Sequence, residues 1–284
     1  MAIFSNQATL TVGGASVDSN IAYGEILDVL GLSKTALESN YSQGAVLTYI
    51  VTLRNSGTTA LNGLTLTDNL GAYQLNGVTV YPLNYQPGTL ALFVNGASQP
   101  TPAVTAGPPL AVSGLNIPAG GNAVIVYQTV VTAAADPETQ GTVVNTVTAS
   151  GGGLTNPVTA QATVPAATGP ILNITKSICP TQVVDNDRVT YTFIITNTGN
   201  TPVVATDNAV ITDTFSPVLS DLVVTFNGAA LAEGTGYTYN QTTGEFATLP
   251  GNITVPAATY TQDPVTGNYT VTPGYSTLVV TGTI

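Results

Sequence analysis

A chain of 284 residues with no His, no Trp, one Cys and a formal charge of −11 has room for about two domains with sizeable cores. Two Lys and two Arg against that acidic balance exclude a basic nucleic-acid surface, and a mean hydropathy of +0.29 without an apolar run near about 18 residues excludes disorder and a membrane helix. Only 7% of residues are charged, so little repulsion keeps copies apart, as suits a chain that assembles.

The start, Met1 to Ser5, lacks the charged and long apolar regions of a secretory signal, so a place outside a cell would need another export route. Ser5-Asn6-Gln7-Ala8-Thr9-Leu10-Thr11-Val12 alternates apolar with polar residues and is closed by Gly13-Gly14, which predicts a β-strand. Ala22 to Leu30 reads as linker with room for a helical turn.

A repeat follows. Lys34-Thr35-Ala36 matches Lys176-Ser177-Ile178, and Leu47 to Gly57 matches Val189 to Gly199, both 142 positions on. Leu64-Thr65-Leu66-Thr67-Asp68 matches Ala209-Val210-Ile211-Thr212-Asp213 after a small insertion, and Ala123 to Tyr127 matches Thr277 to Thr281, 154 positions on. Short alternating strands broken by Gly, Pro and Asn turns predict an all-β chain of two tandem immunoglobulin-like β-sandwiches. The expected boundaries are a donor-strand segment over 1–22, a first sandwich over 23–164, a linker over 165–170 and a second sandwich over 171–284. Asn55-Ser56-Gly57 and Asn197-Thr198-Gly199 read as hairpin turns, and Asp263 to Asn268 as a hairpin tip.

Val144 to Ser150, closed by Gly151-Gly152-Gly153, is a second copy of the first strand, with Asn145 matching Asn6. It serves the first sandwich as a last strand. By the 154-residue offset Val130 corresponds to Ile284, so the second sandwich is expected to lack that strand. Such a domain exposes unpaired backbone beside an open core. The expectation is that Asn6, Ala8, Leu10 and Val12 of one copy complete the second sandwich of the next, a strand addition that repeats head to tail. The other expectation is a monomeric surface adhesin whose loops, such as Val94-Asn95-Gly96, meet a ligand.

The chain's two lysines occupy one repeat position. With first and last strands side by side, Lys34 would face Asn145, and Lys176 would face Asn6 of a neighbour; Asp68 and Asp213 complete the two sets. Lys, Asn and an acid are the ingredients of a self-formed isopeptide bond. An apolar site favours the neutral, nucleophilic amine and a protonated acid that polarises the carboxamide. Buried Lys–Asp pairs, or solvated groups at strand ends, are the plainer readings of the same residues. Asp185-Asn186-Asp187 and Thr206-Asp207-Asn208 read as acid-rich turns without a full calcium ligand set. Cys179 is alone, so an intramolecular disulfide is excluded; a cross-link between chains or a quiet buried thiol remains, and the buried thiol is expected. No nucleophile–base pair, phosphate loop, metal site or cofactor site is expected, nor turnover catalysis.

Lys34-Thr35, Leu47 to Gly57 and Leu64 to Asp68, with their second copies, resemble the bacterial surface repeat called domain of unknown function eleven. The resemblance implies immunoglobulin-like sandwiches, often in tandem on extracellular proteins. The two-repeat size and missing signal are similar to clostridial spore appendage proteins, which reach the spore surface when the mother cell lyses. That implies a homopolymer, with further appendage or coat proteins as partners. The missing final strand and the missing sorting anchor depart from a wall-anchored monomer.

Overall fold

A computed structural model describes residues 2–26 and 28–284. The chain is all-β, and its one helical element among the described residues is a short 3₁₀ turn, Ala205–Asp207. It divides into two compact units, 1–136 with 142–165 and 264–267, and 137–141 with 166–263 and 268–284.

The N-terminal segment folds on itself. Strands β1 (Ala2–Asn6), β2 (Thr9–Val12), β3 (Ala15–Asp18) and β4 (Ala22–Ile26) make a bent antiparallel hairpin, β1 pairing with β4 and β2 with β3. Gly13 and Gly14 turn it at φ +57° and +87°, a left-handed pair that suits the twist of two antiparallel strands. Two expectations are corrected here. Ser5 to Val12 is not one strand: it breaks at Gln7-Ala8, where Ser19 Oγ accepts the Ala8 N–H at 2.9 Å in place of a ladder bond. Ala22 to Ile26 is a strand rather than a linker or helical turn, because its backbone groups pair with β1; Leu27 lies outside the described residues.

The first unit continues with β5 (Leu30–Ala36), β6 (Val46–Asn55), β7 (Leu61–Asp68), β8 (Tyr73–Leu75), β9 (Val78–Val80), β10 (Leu83–Tyr85), β11 (Ala91–Val94), β12 (Ala97–Gln99), β13 (Ala103–Thr105), β14 (Leu110–Ile117), β15 (Asn122–Val131), β16 (Thr142–Gly151) and β17 (Val158–Pro165). One sheet runs β12-β11-β15-β6-β5, with β10 also on β15; the other runs β13-β14-β7-β16-β17. Alternation places Leu47, Tyr49, Val51 and Leu53 of β6 in the core with Leu64, Leu66, Val112, Val147 and Ala149 of the second sheet. At the sandwich edge β17 lies alongside β5, and Pro165 O accepts the Tyr41 N–H at 2.9 Å.

The second unit holds β18 (Leu172–Cys179), β19 (Arg188–Asn197), β20 (Thr212–Thr214), β21 (Ser220–Phe226), β22 (Ala229–Leu231), β23 (Tyr237–Tyr239), β24 (Glu245–Thr248), β25 (Thr259–Gln262), β26 (Tyr269–Thr272) and β27 (Gly274–Thr283). Its first sheet, β18-β19-β27-β21-β22, repeats that of the first unit, and β25 with β26 forms the expected hairpin around 263–268. Its second sheet has three strands, β20-β24-β23, where the first unit has five. Among the described residues, nothing occupies the places of β16 and β17, so the difference is two strands rather than one.

Two further readings change. Tyr127 pairs with Tyr49 while Val280 pairs with Tyr191, so the late offset is 153, not 154. A one-residue slip swaps strand faces, and this one aligned Tyr127 with an outward threonine. The Asn-x-Gly segments are arches rather than hairpin turns, since β6 and β7 belong to different sheets. Asn55 is fully buried, its Nδ2 donating to Thr59 O and Pro118 O and its Oδ1 accepting the Gly57 N–H. Asn197 does the same with Thr201 O, Pro256 O and Gly199 N–H. A buried carboxamide thus satisfies the backbone of each crossing.

Candidate functional site

Inside the first unit, Lys34 of β5 reaches into the core and meets Asp68 at the end of β7, Nζ to Oδ2 2.5 Å. Both are buried. The route differs from expectation: β5 and β16 lie in opposite sheets, so Lys34 reaches Asp68 across the core and does not face Asn145 from a neighbouring strand. Two tyrosines missed by sequence reasoning frame the pair. The Tyr127 hydroxyl also donates to Asp68 Oδ2, and Tyr49 stacks on Tyr127 with ring centroids 5.7 Å apart. Lys34 Nζ sits 4.7 Å from the Tyr49 ring centroid, a face that attracts a cation. Asp68 Oδ1 accepts the Leu70 N–H at 2.8 Å.

Burial lowers the Lys34 amine to about 8, against the opposing pull of Asp68. Burial, with Asp68 second, pushes the Tyr49 phenol up, and Tyr127 well up, so both stay protonated donors. Asn145, on β16 opposite Ala162, is fully buried beside both hydroxyls. Its Oδ1 accepts the Gly71 N–H at 3.3 Å, whereas among the described residues its Nδ2 and the Tyr49 hydroxyl have no hydrogen-bond partner. Gly71 has φ +72°, and a Cβ there would press within 2.9 Å of Pro82 and Val143, so only glycine delivers this N–H. The result is an amine, a carboxylate that can take its proton, and a carboxamide polarised at oxygen with its nitrogen left free.

The second set is half assembled. Lys176 of β18 contacts Asp213 of β20, with Nζ 4.6 Å from the Tyr191 ring centroid and 5.3 Å from that of Phe215. Here Lys176 is exposed, and Val280 stands where the first site has Tyr127. Asn6 lies on β1 opposite Ala22, exposed, and no carboxamide of the described residues takes the place of Asn145. The whole inward face of β18 is open: Leu172 is 50% exposed where Leu30 of β5 is 6%, and Ile174 is 51% exposed. The remaining donor-strand residues, Ala8, Leu10 and Val12, are likewise exposed.

Cys179 is exposed, contrary to the buried thiol expected, because it ends β18 on its outward side. Asp187 and Asp207 accept the backbone N–H of Val184 and Val204, as turn-forming acids do. Among the described residues no cluster of three metal-ligating side chains occurs, and no helix is long and apolar enough to cross a membrane.

No family model matches the chain, and neither does any curated protein, so the family resemblance rests on the motifs quoted above. Solved structures do resemble it distantly. The 35 kDa C-terminal fragment of the major pilin GBS80 of Streptococcus agalactiae aligns over 87% of this chain and 91% of its own, at 9% identity and a TM-score of 0.36. The pilus backbone protein RrgB of Streptococcus pneumoniae aligns over 86% of this chain and 55% of its own, at 10% identity and TM-score 0.35. The collagen adhesin of Staphylococcus aureus aligns over 56% of this chain and 55% of its own, at 16% identity and TM-score 0.31.

Proposed function

We propose that the chain is a structural subunit that polymerises head to tail, the N-terminal segment of one copy completing the second sandwich of the next. The observation that carries this reading is the contrast between the two sandwiches. In the first, β16 covers β7 and β17 flanks β5; in the second, among the described residues, β20 has an open edge and the inward face of β18 is bare. The same chain carries exposed strands whose apolar side chains have nothing of their own to cover. A two-stranded hairpin is marginal in water, and burying Leu10, Val12 and Phe4 would each add about 1.5–3 kcal/mol. Donor and acceptor lie at opposite ends of the sequence, so the contact is head to tail, and it grows a fibre where its rotation does not close a ring.

Assembly is followed by covalent locking. In the first sandwich the neutral Lys34 amine attacks Cγ of Asn145 and gives its proton to Asp68. The carboxamide C–N bond then breaks, and Nδ2 leaves as ammonia carrying the returned proton. The new Nζ–Cγ amide replaces one amine and one carboxamide, so atoms balance. The Gly71 N–H steadies the developing oxyanion. Departure of Nδ2 also removes a buried donor that has no partner among the described residues. Lys176, Asp213 and the incoming Asn6 form the corresponding set between copies. Lacking the phenol of Tyr127, that second set relies on the arriving strand to exclude water. The family resemblance supports an extracellular setting, and a spore appendage in particular.

The test is negative-stain microscopy of the purified chain beside one lacking residues 1–22. Fibres from the first and monomers from the second are expected; ordinary fibres from the shortened chain overturn strand donation.

A further inference from the structure

We infer that the unit passed between copies is the entire hairpin, residues 2–26, rather than a single strand; this rests on the head-to-tail reading above. The second unit's shorter sheet lacks two strands, and the N-terminal segment supplies a two-stranded unit. The correspondence extends to side-chain pairs. In the first sandwich Asn145 lies opposite Ala162, Ala149 opposite Val158 and Val143 opposite Val164. In the N-terminal hairpin Asn6 lies opposite Ala22, Leu10 opposite Val17 and Phe4 opposite Gly24. The asparagine faces a small residue in both, and the third pair keeps its bulk by exchange: the Phe4 ring occupies the space over Gly24, where a Cβ would collide with it.

In β16 and β17 the members of these pairs point into the core, where all are buried except Val158, which is half-buried. Their counterparts Phe4, Leu10 and Val17 are exposed, Val17 by 69%. Placed as in the first sandwich, β1–β2 pairs with β20 so that Ala8 meets Asp213, as Val147 meets Asp68. Asn6 then falls two residues away, on the side where Asn145 sits. Strands β3–β4 close over Leu172, Ile174 and Lys176, as β17 lies along β5. A single strand would satisfy the β20 edge but leave β18 uncovered. The hairpin thus supplies the cover that dries the Lys176 amine.

The experiment uses full-length chains and sedimentation. Val17→Asp lies on the strand that only the whole-hairpin reading buries, and Val17 is exposed in the free chain, so the substitution spares folding. Whole-hairpin donation predicts that Val17→Asp blocks polymerisation as strongly as Leu10→Asp, at least tenfold in critical concentration, while Ser16→Asp on the opposite face does not. Polymerisation of Val17→Asp at wild-type level, with Leu10→Asp blocked, overturns the hairpin and leaves single-strand donation standing. Polymerisation of both variants overturns strand donation itself. A second arm ties β2 to β3. Thr11 and Ser16 are paired, their hydroxyls 2.9 Å apart, so Thr11→Cys with Ser16→Cys in a Cys179→Ser background places a disulfide across the hairpin. The oxidised chain is expected to polymerise like the reduced one. Polymerisation only after reduction means that β2 must peel from β3, and overturns the inference.

Discussion

Asn145 and Asn6 occupy equivalent places in two hairpins of one chain, each opposite an alanine, but one is buried in a finished sandwich and the other is in solvent. On the head-to-tail proposal, the first sandwich is an internal template for the contact between copies.

Mass reports the covalent step. Condensation of Lys34 with Asn145 expels ammonia, so the intact chain should weigh about 17 Da below its sequence mass, by atom bookkeeping for nucleophilic displacement. Lys34→Arg, Asn145→Ala and Asp68→Ala should each restore the full mass, since Arg cannot act as the nucleophile and Asp68 is the proposed proton acceptor. A deficit of about 18 Da would instead mean loss of water, which is the Lys34–Asp68 bond.

Stability against pH distinguishes a free amine from an amide. In Asn145→Ala the amine survives, neutral in the folded state above about 8 and protonated in the unfolded state up to its ordinary 10.5. The unfolded state binds more protons in that window, so stability rises with pH, by roughly 1.4 kcal/mol per unit at most. Above 10.0 the sign reverses, because Tyr49 and Tyr127 hold their protons when folded and lose them when unfolded. Denaturant unfolding of Asn145→Ala should therefore peak near pH 10, whereas the cross-linked chain should show no gain between 8 and 10. A flat profile in the variant would show that Lys34 is not held neutral.

Tyr127 donates to a buried carboxylate, and Val280 marks the same position without a hydroxyl. Tyr127→Phe in the Asn145→Ala background should cost about 1–3 kcal/mol, as expected when a buried acceptor loses a partner. Urea unfolding checks it. A loss under about 0.5 kcal/mol, the level of an ordinary surface change, would mean that Lys34 and Leu70 satisfy Asp68 alone.

Boiling in detergent separates strand addition from cross-linking. Wild-type fibres should give ladders, and Lys176→Arg should give fibres that dissolve to monomer. Ladders that persist in Lys176→Arg would place the inter-chain bond elsewhere.

Much of this was legible in the sequence because strand periodicity survives short windows. Leu47, Tyr49, Val51 and Leu53 alternate, and they line the core as the pattern demands. Lys34 and Asp68 stand out because both recur in the repeat, and they meet. What escaped depends on tertiary placement. Tyr127 was hidden by a one-residue misalignment, which on a strand exchanges inside for outside. Gly71 carries no signal beyond being a glycine after a turn. Asn55 and Asn197 look like turn residues until the flanking strands are seen to enter opposite sheets. The strand at Ala22 to Ile26 is not legible because it is defined by a partner, β1, rather than by a pattern of its own.

The most direct measurement mixes two disabled chains. Leu10→Asp spoils the donor face, since burying an unpaired charge costs several kcal/mol, and leaves the acceptor intact. Ile174→Asp spoils the acceptor at an exposed position of β18 and leaves the donor intact. Each alone should sediment as monomer. Mixed in equal amounts they should form a one-to-one dimer and stop, because the dimer's two remaining ends are the spoiled donor and the spoiled acceptor. A mixture that remains monomeric, or Leu10→Asp forming fibres by itself, would contradict head-to-tail donation; fibres of Ile174→Asp alone would overturn only its whole-hairpin form.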